Sequence, residues 1–382
     1  MKSTVLLMSE LAESNEVLYI DYPYTWKDVV MGLKPGAKVP VAPILGLGAR
    51  LTSRQVSPTA KVHVLTLPPF LPANWVAGTE TYDFFLAFNA RIAIRSIRKA
   101  MRKLGFEKPI HLNAFNPALG NALAGKLKEE LLVYYCYDEI SAANWISKHG
   151  SRHEKAFLAK ADLTIVSSAQ LLKDKRPFTK QCKLVKNGVS LALFQNQSRK
   201  APEKKGVRIG YLGSIDERLD FDLLYDLMIQ HPEYQFQFVG RIVEKTQANR
   251  LGQLANCEFL GPKPIAELST YVAGFQVGLI PFKCNRLTAG IYPLKINEYL
   301  AMGIPVITTP FTNLTEFQGV AYEAATAKDF SAVVQQALIE DTADSVEARK
   351  AFAASNSWKN RAAEFDAALT DALAGKALQP AL

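Results

Sequence analysis

The sequence predicts an α/β protein made of two Rossmann-like domains. Three observations carry this prediction. Short β-branched and aliphatic runs alternate with helical stretches, and runs of that kind read as buried parallel strands between crossover helices. The alternation occurs twice, on either side of a polar, proline-containing stretch at 195–205, QNQSRKAPEKK, which reads as a linker. The chain has 382 residues, 48% of them apolar, enough to bury two cores.

In chain order, residues 4–13 read as a helix and 16–21 (EVLYID) as a buried strand. Residues 22–40 are loop-like, with Pro23, Pro35, Gly36 and Pro40. A strand follows at 62–67, then a long helix at 81–103. Ile94, Ile97, Met101 and Leu104 form an apolar stripe along that helix. Arg91, Arg95, Arg98 and Arg102 form a basic one, reinforced by Lys99 and Lys103. The plain account of the basic stripe is a solvated face. The functional one is contact with an anionic membrane surface or a lipid-linked diphosphate. Further strands are expected at 109–113, 131–135, 162–167 and 182–185, with helices after the second Pro of this region, Pro117, and at 168–175.

The second set places strands at 207–212, 235–239, 257–260, 277–280 and 306–308, with a weak one near Val320. Helices are expected at 221–230, 265–273 and 295–302, and an Ala-rich helix at 358–373 ends the pattern.

Charge is uneven along the chain. Residues 1–200 hold 28 Lys+Arg and 15 Asp+Glu, a net of +13; the remainder holds 17 and 21, a net of −4, and the two sum to +9. A basic front half points to an anionic partner: nucleic acid, anionic lipid or a phosphorylated substrate. Cys136, Cys182, Cys257 and Cys284 form no close pair, which suggests free thiols in a reducing compartment. The five histidines are scattered, which argues against a zinc cluster. No apolar run reaches membrane-spanning length, and the first residues do not read as a signal peptide. The expected location is therefore cytoplasmic, with peripheral contact at the inner membrane face.

The most informative stretch is 290–309, GIYPLKINEYLAMGIPVITT. Gly290 and Pro293 open a loop that feeds the helix KINEYLAM. Gly303 and Pro305 end it, and a buried strand follows. A helix start gathers free N–H groups and the positive end of the dipole, which suits an anion. Lys295 adds a full charge there, and Glu298, three residues on, lies on about the same face. A lone K-x-x-E is most often an ordinary solvated pair. Gly210-Tyr-Leu-Gly213 follows a strand and precedes a helix, so Gly213 allows close approach of a phosphate and Arg218 can clamp it. Asp220 and Asp222 spell D-x-D, but at a helix start, where carboxylates cap. Gly261-Pro262-Lys263-Pro264 is either a plain turn or part of the site. Asn285, Thr288 and Tyr292 share a loop with Lys295.

The run P-L-K-x-x-E-Y-L-A-M-G-x-P-V (293–306) resembles the donor-binding signature of GT-B glycosyltransferases. It looks closest to the family 4 group and to relatives that build bacterial exopolysaccharide and teichuronic-acid-type polymers, xanthan-type glucuronosyltransferases among them. The resemblance implies two Rossmann-like domains facing a central cleft: 1–200 for the acceptor, 201–356 for the nucleotide sugar, and 357–382 as a helix crossing back to the first domain. It implies a nucleotide-diphosphate sugar donor, most often a UDP-sugar, and a glycan or lipid-linked acceptor, with neither metal nor other cofactor; no nucleic-acid partner is expected, because no aromatic residue is interleaved with the basic helix from Arg91 to Lys103. Lys295 and Arg218 would then stabilise the leaving diphosphate and Glu298 would hold the ribose. Gly213, Pro262, Tyr292 and Leu294 would complete the donor site. Y-Y-C-Y-D-E resembles a Y-x-x-D pattern whose aspartate is the base, which makes Asp138 the catalytic candidate beside Glu139. His111, Asn116 and Asn187 are placed on segments expected to face the cleft.

Two departures stand out. Relatives open with a strand and a glycine-containing loop before the first helix, so this chain is expected to begin partway through its first unit. Retaining family 4 enzymes carry E-x7-E. Glu298 matches the second glutamate, and the first position holds Gly290. Rival readings stay open: a sugar-nucleotide 2-epimerase of the same fold, a basic nucleic-acid-binding protein, or a scaffold that binds a sugar nucleotide without turnover.

Overall fold

In the computed structural model, which describes residues 3–142, 146–195, 197, 199 and 206–378, the chain divides into two units. The front unit runs to Val185 and takes up the chain again from Ala362; the other is Lys186–Arg361. Of the linker expected at 195–205, residues 196, 198 and 200–205 lie outside the described residues.

The front unit holds β1 (Val17–Ile20), β2 (Leu51–Gln55), β3 (Lys61–Leu65), β4 (Ile110–Ala114), β5 (Leu131–Cys136), β6 (Leu163–Val166) and β7 (Cys182–Leu184). Strands β4 to β7 form a parallel sheet in sequence order. Its second strand, β5, is buried at every position, as an unbroken apolar run in a parallel sheet requires. The first three strands form a separate sheet in the order β1-β3-β2, with β2 antiparallel to β3. Strand β2 was not expected: LTSRQ holds one large apolar residue, so no periodicity betrays it. The region 22–40 is not all loop. Trp26–Gly32 is a helix, started by a capping box in which Thr25 accepts from the Asp28 N–H and Asp28 accepts from the Thr25 N–H.

The long helix Thr79–Leu104 buries Ala93, Ile97, Ala100 and Met101 and turns its arginines outward, so the two stripes read from the sequence are two faces. A helix at Ser147–Lys160 links β5 to β6. In the part of the last helix (Trp358–Ala377) that belongs to this unit, Phe365 packs edge-on against Tyr135. Lys376 reaches Asp162 at 2.6 Å and the Glu130 carbonyl at 2.8 Å.

The second unit has one six-stranded parallel sheet: β8 (Arg208–Leu212), β9 (Gln235–Val239), β10 (Cys257–Gly261), β11 (Val277–Ile280), β12 (Val306–Thr308) and β13 (Ala321–Glu323). The order is β10-β9-β8-β11-β12-β13. The chain winds outward from β8 to β10, returns to β11 on the other side of β8, and winds outward again. The reversal between β8 and β11 opens a crevice beyond their carboxyl ends, where open α/β sheets place ligands. Every strand expected in this unit is present, and the helix expected at 295–302 is Leu294–Ala301. Helices at Lys245–Leu251, Ala327–Ile339 and Ala343–Ser355 were not anticipated.

Candidate active site

The helix Leu294–Ala301 leaves β11 and leads to β12, so its start lies beside the carboxyl end of β8. Tyr299 fixes it there. This side chain is fully buried, and its hydroxyl accepts the Leu212 N–H at 2.7 Å and donates to the Gly210 carbonyl at 3.4 Å. The bare backbone of Gly278 makes room for the Tyr299 ring: a Cβ there would lie 2.6 Å from it.

The loop after β8 is stitched on both sides. Gly213 donates to the Val239 carbonyl and Ile215 to the Arg241 carbonyl, each at 2.9 Å. On the other side Asp220 donates to the Pro281 carbonyl and Lys283 to the Arg218 carbonyl, each at 2.8 Å. Gly213 has φ 149° and Gly240 φ 157°, a region closed to side chains. A Cβ on Gly240 would overlap the Gly213 carbonyl, and one on Gly213 would overlap Lys295 Cε. The two motifs, 82 positions apart, therefore touch: the Lys295 stem lies on the bare backbone of Gly213.

Lys295 Nζ also lies over the rings of Tyr211 (5.7 Å) and Phe282 (5.4 Å). Burial pushes its ammonium down to about 8, and the nearby Arg218 guanidinium pushes the same way against the pull of Glu298 and Asp216. Two cations crowded in a half-dry site favour an anionic ligand. Arg218 sits over Phe282 at 5.5 Å, aimed by a bidentate pair with Asp216 (2.6 and 2.8 Å). Glu298, partly exposed, has its carboxyl raised by burial, with Lys295 acting the other way.

The other candidates of this unit are placed as follows. Leu294 is the first helical residue after Pro293. Tyr292 is buried; its hydroxyl accepts from Asn297 at 3.1 Å and its ring meets Phe317, so it packs the helix. Pro262 is exposed just past β10, where Gly240 donates to the Gly261 carbonyl at 3.0 Å, so the ends of β8, β9 and β10 are tied in series. Asn187 is buried in this unit, not in the front one where it was expected. Asp220 accepts from the Leu223 N–H at 3.1 Å as a helix cap and Asp222 pairs with Arg250 at 2.6 Å, so each D-x-D carboxylate has a partner of its own.

In the front unit Asp138 is exposed two residues past the end of β5. The loop that carries it rests on a buried polar network that was not foreseen. Lys175 bridges Glu139 (3.1 Å) and Glu154 (2.8 Å); Tyr134 donates to Glu154 at 2.9 Å, and the Cys136 thiol donates to the Asp138 carbonyl at 3.3 Å. Burial works against the ionised form of Glu139, but Ser141 and Lys175 outweigh it and hold its carboxyl below the usual range. Glu139 is thus a structural anchor, unlike its neighbour. Asn116 caps the helix Pro117–Leu123, accepting from the Leu119 N–H at 3.2 Å. Before it, Phe115 holds φ 53°, a strained value for a bulky residue, and stacks on Tyr137 at 4.8 Å, beside Asp138. The structure does not bring His111 to this end. It lies near the start of β4, 3.8 Å from Glu129, at the opposite end of the strand from Asn116.

Residues 206–340, which include Gly213, Arg218, Lys295 and Glu298, match the family described as Glycosyl transferases group 1. In sequence, the chain is similar to a putative teichuronic acid biosynthesis glycosyltransferase of Bacillus subtilis, 29% identical over 142 residues, 35% of this chain and 36% of that one. It is also similar to a ubiquinone biosynthesis O-methyltransferase of Rickettsia conorii, 28% identical over 128 residues, 32% and 41% of the two chains. The chain thus spans about two fifths or less of the length of these curated relatives. Among solved structures it is similar to a sucrose-phosphate synthase of Thermosynechococcus elongatus (TM-score 0.69, 17% identity, 97% and 92% covered). It is also similar to Anabaena HepE in complex with UDP and glucose (TM-score 0.61, 13% identity, 93% and 99% covered). The fold is GT-B, two Rossmann-like domains.

Proposed function

We propose that this chain is a glycosyltransferase that moves a sugar from a nucleotide-diphosphate donor, a UDP-sugar, to a glycan or lipid-linked glycan of a bacterial surface polymer. The observation that carries the reading is the Lys295 ammonium seated on the Gly213 backbone beside Arg218, inside the group 1 domain. The bond from the anomeric carbon to the diphosphate oxygen breaks, and the charge gathering on that oxygen is met by Lys295 and Arg218, already in place before the reaction. Glu298 holds the donor's hydroxyls. Asp138 takes the acceptor hydroxyl proton as the new bond to the anomeric carbon forms. No metal is required in this scheme. Support for UDP comes from HepE, solved with UDP and glucose, and support for a surface-polymer acceptor comes from the Bacillus relative's name. The exposed ridge of Arg91, Arg95, Arg98 and Arg102 would face anionic lipid at the inner membrane surface; no helix among the described residues is long and apolar enough to cross a membrane.

The test is calorimetric titration without metal against UDP, GDP and TDP, followed by transfer assays with the donor so identified. Tight binding of one nucleotide, lost in Lys295→Ala, is expected. Indifference to all three nucleotides would sink the proposal.

A further inference from the structure

Between Tyr22 and Gly78 the chain carries six basic residues (Lys27, Lys34, Lys38, Arg50, Arg54, Lys61) and one acid, Asp28. Asp28 is committed to the capping box of the helix Trp26–Gly32. Of the seventeen large apolar side chains exposed among the described residues, nine fall in this segment. Six of them, Trp26, Val30, Met31, Leu33, Leu45 and Leu47, sit on or just past two short helices, Trp26–Gly32 and Val41–Leu45; Leu33 is 72% exposed and Leu47 80%. The exposure does not come from fraying. Each helix buries a side chain of its own, Val29 at 5% and Ile44 at 0%. The Trp26 N–H is held by the Phe70 carbonyl at 3.0 Å, and Arg50 closes the second helix by donating to the Pro43 and Ile44 carbonyls, each at 3.0 Å. The two helices also meet, because Gly32 has no Cβ to strike Val39 and Val41.

We propose that this helix pair is a wedge that docks on an anionic lipid bilayer, its apolar tips entering the headgroup–acyl boundary and the exposed Lys27, Lys34 and Lys38 meeting the lipid charge. Charge decides between occupants. A second copy docked face to face would set Lys27, Lys34 and Lys38 against the same three lysines, with Asp28 of each already used. An anionic bilayer neutralises the lysines and takes in the apolar side chains at once. The inference is independent of the donor site and goes beyond the arginine ridge, which offers charge without apolar depth.

The test is co-sedimentation with vesicles of phosphatidylcholine alone and of phosphatidylcholine mixed with phosphatidylglycerol, with UDP affinity measured in parallel. The intact protein is expected to partition onto the anionic vesicles and to leave the neutral ones in solution. Leu33→Asp with Leu47→Asp lowers that partitioning about tenfold or more while UDP affinity is unchanged. Lys34→Glu with Lys38→Glu lowers it roughly five-fold for each lysine lost. Quenching by brominated lipid reaches the intact protein and is reduced in Trp26→Phe. The wedge is overturned by an intact protein that ignores anionic vesicles, by a Leu33→Asp, Leu47→Asp variant that binds them as well as the parent, or by a dimer in solution that this variant dissolves.

Discussion

Replacing Lys295 by Met has two consequences of opposite sign, and their combination tests the role given to this residue. In the free protein the ammonium is depressed from its ordinary value of 10.5 to about 8 by burial, then by Arg218. A bound diphosphate restores a counter-charge and raises that value again. Affinity for UDP is therefore level below pH 8 and declines above it, by about tenfold between pH 7 and pH 9, where only about a tenth of the free site remains protonated. Calorimetry without metal over this range, with Lys295→Met alongside to remove the ligand's own titration, reads the effect. Because the folded value is depressed, the unfolded chain binds more protons between about pH 8 and 10.5, and Lys295 detracts from stability in full below pH 8. The shift corresponds to about 3 kcal/mol, which solvent at the partly exposed end reduces to about 1–2 kcal/mol. Lys295→Met should thus unfold at higher denaturant concentration while losing nucleotide affinity. A variant that is less stable, or one that keeps the pH slope, would refute the argument.

Gly213→Ala sets a Cβ into Lys295 Cε at a backbone angle that disfavours it, so UDP affinity should fall at least about tenfold and stability by about 1–3 kcal/mol, read by titration and denaturant melts. Asp138→Asn should lower transfer by about 10²–10⁴ with UDP affinity unchanged, in a product assay run beside calorimetry. Lys175→Met leaves Glu139 and Glu154 buried without their cation and should lose about 3–5 kcal/mol in a thermal melt. The depressed Glu139 adds stability that is complete above the usual carboxylate range and is lost as pH falls through its lowered value; that acid-side loss should shrink in Lys175→Met.

Legibility followed the range over which each signal acts. The parallel strands of the second unit are short runs rich in aliphatic and aromatic residues, such as RIGYL in β8 and QFQFV in β9, so they announced themselves locally; β11, VGLI, is wholly apolar and buried at all four positions. Strand β2 and the helix Trp26–Gly32 did not. The first is polar at four of five positions, and the second spends its apolar residues outward, so neither shows the periodicity of a buried face. The helix could still have been found from its ends, because Thr25-x-x-Asp28 is a capping box. The prolines and glycine nearby drew the reading toward a loop instead.

The donor candidates divide the same way. Lys295 and Glu298 lie three residues apart, so helix geometry alone relates them. Their relation to Gly213 depends on strand order, and strand order is not local: β8 neighbours β11 only because the chain turns back after β10. Gly240 carries no motif, yet it holds the end of β9 against Gly213, and Tyr299 looked like one more apolar residue of its helix until its hydroxyl met the β8 backbone. In the proposed donor site these two residues would act only through Gly213 and Lys295. A residue that touches a ligand repeats from one protein to another as a pattern of types. A residue that holds such a residue in place is chosen by the space around it, and that space exists only once the sheet has formed. The same reasoning places Lys175 and Glu154 beneath Asp138: nothing in their own neighbourhood of the sequence points to the loop they anchor.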